Sequence, residues 1–140
     1  ESFRDLFVTF GRPDGIGMSS IIGLLAPLDR DTPEGRRVRL LPVDQAEIRL
    51  AAPIAPGLIE EVGIGDIEVI EPNKIYLPCV SAGSFALDGE RELTFSEVDD
   101  VSVRLQIDAF RTINVPVCMA YAAKHGLLTR GVKNGLRAAQ

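Results

Sequence analysis

Apolar and polar residues alternate through most of the chain between residues 36 and 108, which is the two-residue period of a β-strand. This alternation predicts six short strands there, at 38–41, 48–51, 64–70, 85–87, 93–95 and 101–107, and a separate alternating stretch predicts a seventh at 3–10. Asp88-Gly89 stands between two of them and predicts a tight hairpin turn, because both residues tolerate positive φ. Five prolines punctuate the strands and are expected at strand ends, edges or bulges, since proline cannot donate to a ladder.

Two segments show helical spacing of apolar residues instead. The first, 18–25, follows a glycine-rich turn at 11–17, and Ser19 or Ser20 is expected to cap it. The second, 116–125, begins with proline and is followed by Gly126, the residue favoured in a left-handed cap. We therefore predict a mainly β, sandwich-like domain of two packed sheets over residues 1–130, with a short N-terminal helix, a C-terminal helix and a tail at 131–140.

Composition narrows the possible partners of this domain. The chain has 140 residues, the size of one domain, and a net charge of −5, which argues against binding to nucleic acid. Its apolar runs are too short for a membrane span, and no secretory segment is seen at its start, so a cytoplasmic location is the default expectation. The one basic cluster, Arg36, Arg37 and Arg39, is interpreted as a solvated strand start.

No complete catalytic site is apparent in the sequence. Cys79 and Cys118 have apolar neighbours and no metal-site or redox spacing, which predicts buried free thiols. His125 is the only histidine, and its place at a helix end favours a capping role over general base catalysis.

Two segments could bind a ligand. The glycine-rich turn before the first helix could leave backbone N–H groups free for an anion, although a tight structural turn is the commoner use of such a sequence. Asp88 and Glu90 flank Gly89, so their carboxylates could face a metal ion, a phosphate-bound cation or only water.

The order of three motifs resembles the carboxyl-terminal domain of the NAD-kinase-like superfamily, which includes ATP-NAD kinases and diacylglycerol kinases, and within it the acetoin catabolism protein X type. The motifs are GRPDGIGMSSIIGLL at 11–25, APIAPGLI at 52–59 and ALDGERE at 86–92. The resemblance covers residues 7 to 128, including the closing helix, and ALDGERE is its most specific part.

The resemblance implies a protein of two domains. An N-terminal α/β domain, absent here, would carry the Gly-Gly-Asp-Gly phosphate-binding motif with the catalytic Asp. The C-terminal β domain would complete the nucleotide site and form an oligomer interface, so this chain alone would be catalytically incomplete. The implied ligands are ATP with Mg²⁺, and NAD.

The resemblance also implies site residues. Gly15, Gly17, Ser19 and Ser20 fall in the segment that corresponds to the Gly-Ser-Thr-Ala contact of NAD kinases, although Gly17 and Met18 stand where small hydroxyl residues are expected. The other implied residues, Asp88, Gly89 and Glu90, look like the Asp-Gly-Glu turn of lipid kinases, which faces nucleotide phosphates and metal.

Two alternatives remain open. The domain could be a small-metabolite-binding or assembly module without chemistry, or it could belong to a lipid kinase of the diacylglycerol type, which would require apolar pocket walls near the hairpin. Fold analogy alone does not decide among these functions.

Overall fold

The computed structural model describes residues 3–87, 91–109 and 111–129. Strands predominate among these residues, with one short helix near the N-terminus and one helix near the C-terminus, which confirms the predicted mainly β class. In chain order the elements are β1 (Asp5–Val8), α1 (Ser19–Leu25), β2 (Gly35–Leu41), β3 (Ile48–Ala55), β4 (Leu58–Ile70), β5 (Ile75–Tyr76), β6 (Gly83–Leu87), β7 (Arg91–Phe95), β8 (Val103–Arg104) and α2 (Val115–Lys124).

The largest sheet has four antiparallel strands in the order β1-β2-β4-β3. Its longest strand, β4, pairs with β3 through a hairpin that turns at Gly57, where φ is 77°. The sequence predicted only the second half of β4, because the residues from 58 to 63 do not alternate. Pro53 lies on the edge strand β3 next to a register shift, as predicted for a proline in a sheet.

The hydrophobic core lies between α1 and one face of this sheet. Ile21 and Ile22 of α1 are fully buried and belong to one cluster with Val38 of β2 and Ile64 of β4. Gly23 faces the backbone of Arg12 so closely that an added Cβ would overlap the Arg12 carbonyl group. The turn before α1 is therefore packed directly against the helix that follows it.

Two smaller sheets have two strands each. β6 and β7 pair antiparallel from Gly83↔Phe95 to Leu87↔Arg91, which confirms the predicted hairpin, although Asp88-Gly89 themselves lie outside the described residues. The rings of Phe85 and Phe95 stack across this pair with centroids 5.2 Å apart. The strand predicted at 101–107 is reduced to the two residues of β8, which pair with β5.

The described residues form two compact units, one ending at Ile107 and one beginning at Asp108. The second unit contains α2, which begins and ends within one residue of the predicted helix and is followed by Gly126 with φ 65°. Neither described helix is both long and apolar enough to cross a membrane. The predicted extent of the domain, 1–130, stays a prediction, and the tail at 131–140 lies outside the described residues.

The prediction of buried cysteines is wrong. Cys79 and Cys118 are both free, as expected, but both are exposed. Cys79 lies in the irregular segment between β5 and β6, and Cys118 lies on α2, which has no buried residue. Apolar neighbours in the sequence do not bury a residue when the element itself is not packed.

Candidate functional site

The glycine-rich turn is held by backbone hydrogen bonds within the protein. The N–H of Gly15 donates to the carbonyl oxygen of Arg12 at 3.0 Å, and the N–H of Gly17 donates to the carbonyl oxygen of Pro53 at 2.9 Å. Gly17 has φ 97°, a left-handed conformation that L side chains rarely adopt. The turn is thus attached to strand β3, and Gly17 is required by its geometry.

The start of α1 differs from the prediction, because the N-cap is Met18 and no side chain caps the helix. The chain already has helical dihedrals at Met18, so both serines lie inside the first turn. The N–H of Ser20 donates to the carbonyl oxygen of Gly17 at 3.0 Å. Its hydroxyl is fully buried and lies 3.5 Å from the carbonyl oxygen of Pro53, so Ser20 faces the core.

Ser19 and Gly15 lie nearer to solvent than Ser20 does. Both are half-buried, and within the described part of the chain the Ser19 hydroxyl has no hydrogen-bond partner. Of the four residues predicted in this segment, Ser19 is therefore the one whose side chain is available to a ligand.

An open depression of about 720 Å³ adjoins the turn. Its lining residues are Phe10, Arg12, Asp29, Arg30, Asp31 and Thr32. The guanidinium of Arg30 stacks over the Phe10 ring at 4.8 Å, and the Arg12 guanidinium pairs with the Asp14 carboxylate at 2.9 Å. The sequence does not predict this depression. Residues 10–12 and 29–32 are joined by the pairing of Gly11 with Leu28, and such a distant pairing leaves no local pattern.

The second predicted site segment, Asp88, Gly89 and Glu90, lies outside the described residues, so its role stays a prediction. The strands on either side of it, β6 and β7, are correctly placed to form the hairpin. Among the described residues, no group of three or more His, Cys, Asp or Glu side chains is arranged to hold a metal ion.

A polar cluster that the sequence did not predict joins β1 to the start of β2. Nε and Nη2 of Arg37 donate to the two carboxylate oxygens of Asp5 at 3.2 and 3.0 Å, and Nη2 also lies 3.2 Å from the carbonyl oxygen of Leu77. The side chains of Arg37 and Asp5 are only 14% and 8% exposed. The interpretation of the basic cluster as solvated is therefore wrong for Arg37. Phe7 lies directly opposite Arg37 in the β1–β2 ladder, and Asp5, two positions further along β1, is its diagonal neighbour.

The charges of this cluster are fixed by their surroundings. Burial raises the pKa of Asp5, but hydrogen bonds from Arg37 and from the Cys79 backbone N–H outweigh it, so that the pKa lies below its ordinary value. Although Cys79 is exposed as a residue, partial loss of solvent around its thiol, followed by the neighbouring Asp5 carboxylate, raises the pKa of that thiol. Cys79 therefore stays protonated near neutral pH and lacks the thiolate that a nucleophilic cysteine needs.

The four-stranded sheet, the helix packed on it and the glycine-rich turn between them define a mainly β domain with one candidate ligand-binding edge. The model of the acetoin catabolism protein X C-terminal domain matches residues 1–108, and the chain belongs to that family.

One relative, from Cupriavidus necator, bears the name acetoin catabolism protein X and is 41% identical over 128 residues. The match takes in 91% of this chain but 36% of the relative, so the chain spans little more than a third of that protein's length. No solved structure matches the chain.

Proposed function

We propose that this chain is the C-terminal domain of a cytoplasmic NAD-kinase-like protein of the acetoin catabolism protein X type. In this proposal it completes a nucleotide-binding site together with an N-terminal α/β domain, contributes to an oligomer interface, and is not catalytically complete alone. The proposed ligands are NAD and ATP with Mg²⁺.

The observation that carries the proposal is the Ser19 hydroxyl. It is half-buried, has no hydrogen-bond partner within the described part of the chain, and lies in the first turn of α1, directly after the glycine-rich turn. The open depression adjoins the glycine-rich turn at Arg12 and is lined by Arg30 and by the carboxylates of Asp29 and Asp31 as well. A hydroxyl donor and two guanidinium groups have the chemistry that binds phosphate oxygens.

The same turn limits what the chain can contribute. Gly15, Gly17 and Ser20 use their N–H groups for hydrogen bonds within the protein, so these three do not offer free backbone donors to an anion. This stretch would then contribute the Ser19 hydroxyl, and the phosphate-binding motif and the catalytic base would have to come from the other domain.

The experiment uses the full-length protein, meaning this chain together with its upstream domain. A ligand that binds only the native state raises its melting temperature, so we expect Mg²⁺-ATP or NAD to increase the Tm measured by scanning fluorimetry. Ser19→Ala should reduce that increase. Ser102→Ala is the matched control, because Ser102 is an exposed serine of the same unit, far along the chain from the turn, and should leave the increase unchanged.

The absence of any Tm increase with either ligand would exclude the nucleotide proposal. An increase that Ser19→Ala leaves intact would keep nucleotide binding but remove Ser19 from the site. Transfer of phosphate to NAD by the full-length protein would establish the kinase part of the proposal.

The inward hydrogen bonds of the turn favour a second candidate, an assembly module without chemistry. Three N–H groups of the segment, those of Gly15, Gly17 and Ser20, already have acceptors in the protein. This candidate predicts a stable homo-oligomer of the full-length protein by analytical ultracentrifugation, with no turnover and no nucleotide-dependent change in Tm.

A further inference from the structure

Helix α2 is apolar on all sides and has no buried residue. Lys124 is the only charged residue among its ten, and it is the last one. The exposed large apolar residues on and next to the helix are Ile113, Val115, Val117, Met119, Tyr121, Leu127 and Leu128.

A helix of this kind is not expected to remain exposed. A surface helix normally has one apolar stripe and a polar opposite face, whereas a helix that is apolar all round is normally buried. At about 100° per residue, Val115 and Met119 lie on one side of α2, and Val117 and Tyr121 lie on nearly the opposite side. Partners are therefore needed on two sides of the helix.

The β domain ends before α2 begins. The C-terminal domain model ends at residue 108, and the first compact unit ends at Ile107, so both boundaries exclude α2 from the β domain. The match to the Cupriavidus necator relative extends further. Because it takes in 91% of this chain, any continuous stretch of that length includes residues 115–124.

The relative thus has a counterpart of α2, although α2 does not belong to the C-terminal domain as the family defines it. Most of the relative's length lies outside the match, and since the family is a C-terminal domain, that remainder includes upstream sequence.

We propose that α2 is an element of the upstream domain of the same polypeptide, inserted between two of its elements. A second copy of this chain is the weaker occupant, because pairing two helices about a symmetry axis covers one stripe of each and leaves the opposite side exposed. The inference rests on the proposed function only for the existence of an upstream domain, and it is independent of nucleotide binding.

Cys118 provides a direct probe, since it lies in the middle of α2 and is exposed in this chain. In the full-length protein, alkylation by iodoacetamide followed by peptide mass spectrometry gives the reaction rate of this thiol. We expect the native rate to be at least ~10-fold below the rate in urea, because a packed helix must open before it reacts. The protection should persist over about a hundredfold dilution, since it is intramolecular.

Two results would overturn the proposal: a native rate equal to that in urea at every concentration, or protection that disappears as the protein is diluted, which would assign the contact to a second copy. Failure of the nucleotide test would leave the alkylation rates unchanged, so the two proposals fail independently.

A pair of variants of the full-length protein gives a second readout. Val117→Asp places a carboxylate on a side of α2 that the proposal buries, and we expect a clear fall in Tm or loss of folding. Val98→Asp is the matched control, because Val98 is 92% exposed in a turn of the first unit, and it should leave Tm unchanged. Equal Tm values for the two variants would contradict the proposal, and a Val117→Asp protein that does not fold leaves the alkylation of Cys118 as the deciding measurement.

Discussion

The two helices of this chain are stabilised in opposite ways. Helix α1 has seven residues, no side-chain cap and no charged residue in its terminal turns, but four of its residues are buried. Helix α2 has ten residues, a side-chain cap from Asn114, a proline in its first turn and a lysine in its last, yet none of its residues is buried. One helix has tertiary packing without local signals, and the other has local signals without packing.

This difference explains which part of the chain forms a domain. Short helices are marginal in water, and most of their stability in proteins comes from packing of an apolar face. Helix α1 obtains that packing from the four-stranded sheet and fixes the glycine-rich turn in place. Helix α2 also requires packing of its apolar residues, and we propose that the upstream domain provides it.

The largest effect that tests this comparison is expected from Ile22→Ala. Ile22 is fully buried between α1 and the sheet, so its truncation should lower the free energy of unfolding by about 3 kcal/mol. Val117→Ala on α2 is the counterpart and should change the stability of the 140-residue chain by less than ~0.5 kcal/mol, because Val117 is exposed. Urea unfolding followed by circular dichroism measures both.

A large loss from Val117→Ala in the 140-residue chain would show that α2 packs within it and would end the distinction between the helices. In the full-length protein, by contrast, the loss from Val117→Ala should approach that of a buried valine.

A smaller effect is expected from Asp5→Asn, which removes the charge that pairs with Arg37 across β1 and β2. We expect a loss of about 2 kcal/mol at neutral pH, below that of a fully buried pair because some solvent reaches the cluster. Asp14→Asn is the control, since the Arg12–Asp14 pair is exposed and should contribute little.

The lowered pKa of Asp5 also predicts how the stability of the folded chain changes with pH. The pKa of Asp5 is lowered in the folded protein, so the unfolded state binds more protons and stability rises with pH. The contribution of Asp5 is complete above its ordinary pKa of 3.8 and is lost as the pH falls below that value. Asp5→Asn should remove this part of the acid transition in a series of urea titrations, and an unchanged transition would contradict the pairing.

The sequence predicted features that depend on neighbouring residues. The ends of α2, the left-handed Gly126 and the β6–β7 hairpin all follow from residues within a few positions of one another. The predicted Ser cap of α1 is wrong because the N-cap is Met18, and the Ser20 hydroxyl instead faces the carbonyl oxygen of Pro53, 33 positions away. Strand order and the burial of Arg37 also depend on distant pairing, which a single sequence does not contain.

Only part of the candidate site could be predicted, because the rest of it also depends on pairing between distant residues. The glycine-rich turn is visible in the sequence, but Arg30 and Phe10 join it only through the pairing of Gly11 with Leu28. That Gly17 and Ser20 would use their N–H groups within the protein could not be foreseen, since their acceptors are fixed by the folded backbone.

The smallest effect concerns the cap of α2. The Asn114 Oδ1 accepts a hydrogen bond from the N–H of Val117 at 3.2 Å, and removal of such a cap costs about 1 kcal/mol of helix stability. In the 140-residue chain, Asn114→Ala should therefore speed hydrogen exchange at Val117 and Cys118 while the unfolding of the first unit stays unchanged. Asn114→Ser retains a capping oxygen and should restore most of the protection. Should Asn114→Ala instead lower the unfolding midpoint of the whole chain, α2 would be coupled to the β domain, and the contrast between a packed and a locally stabilised helix would fail.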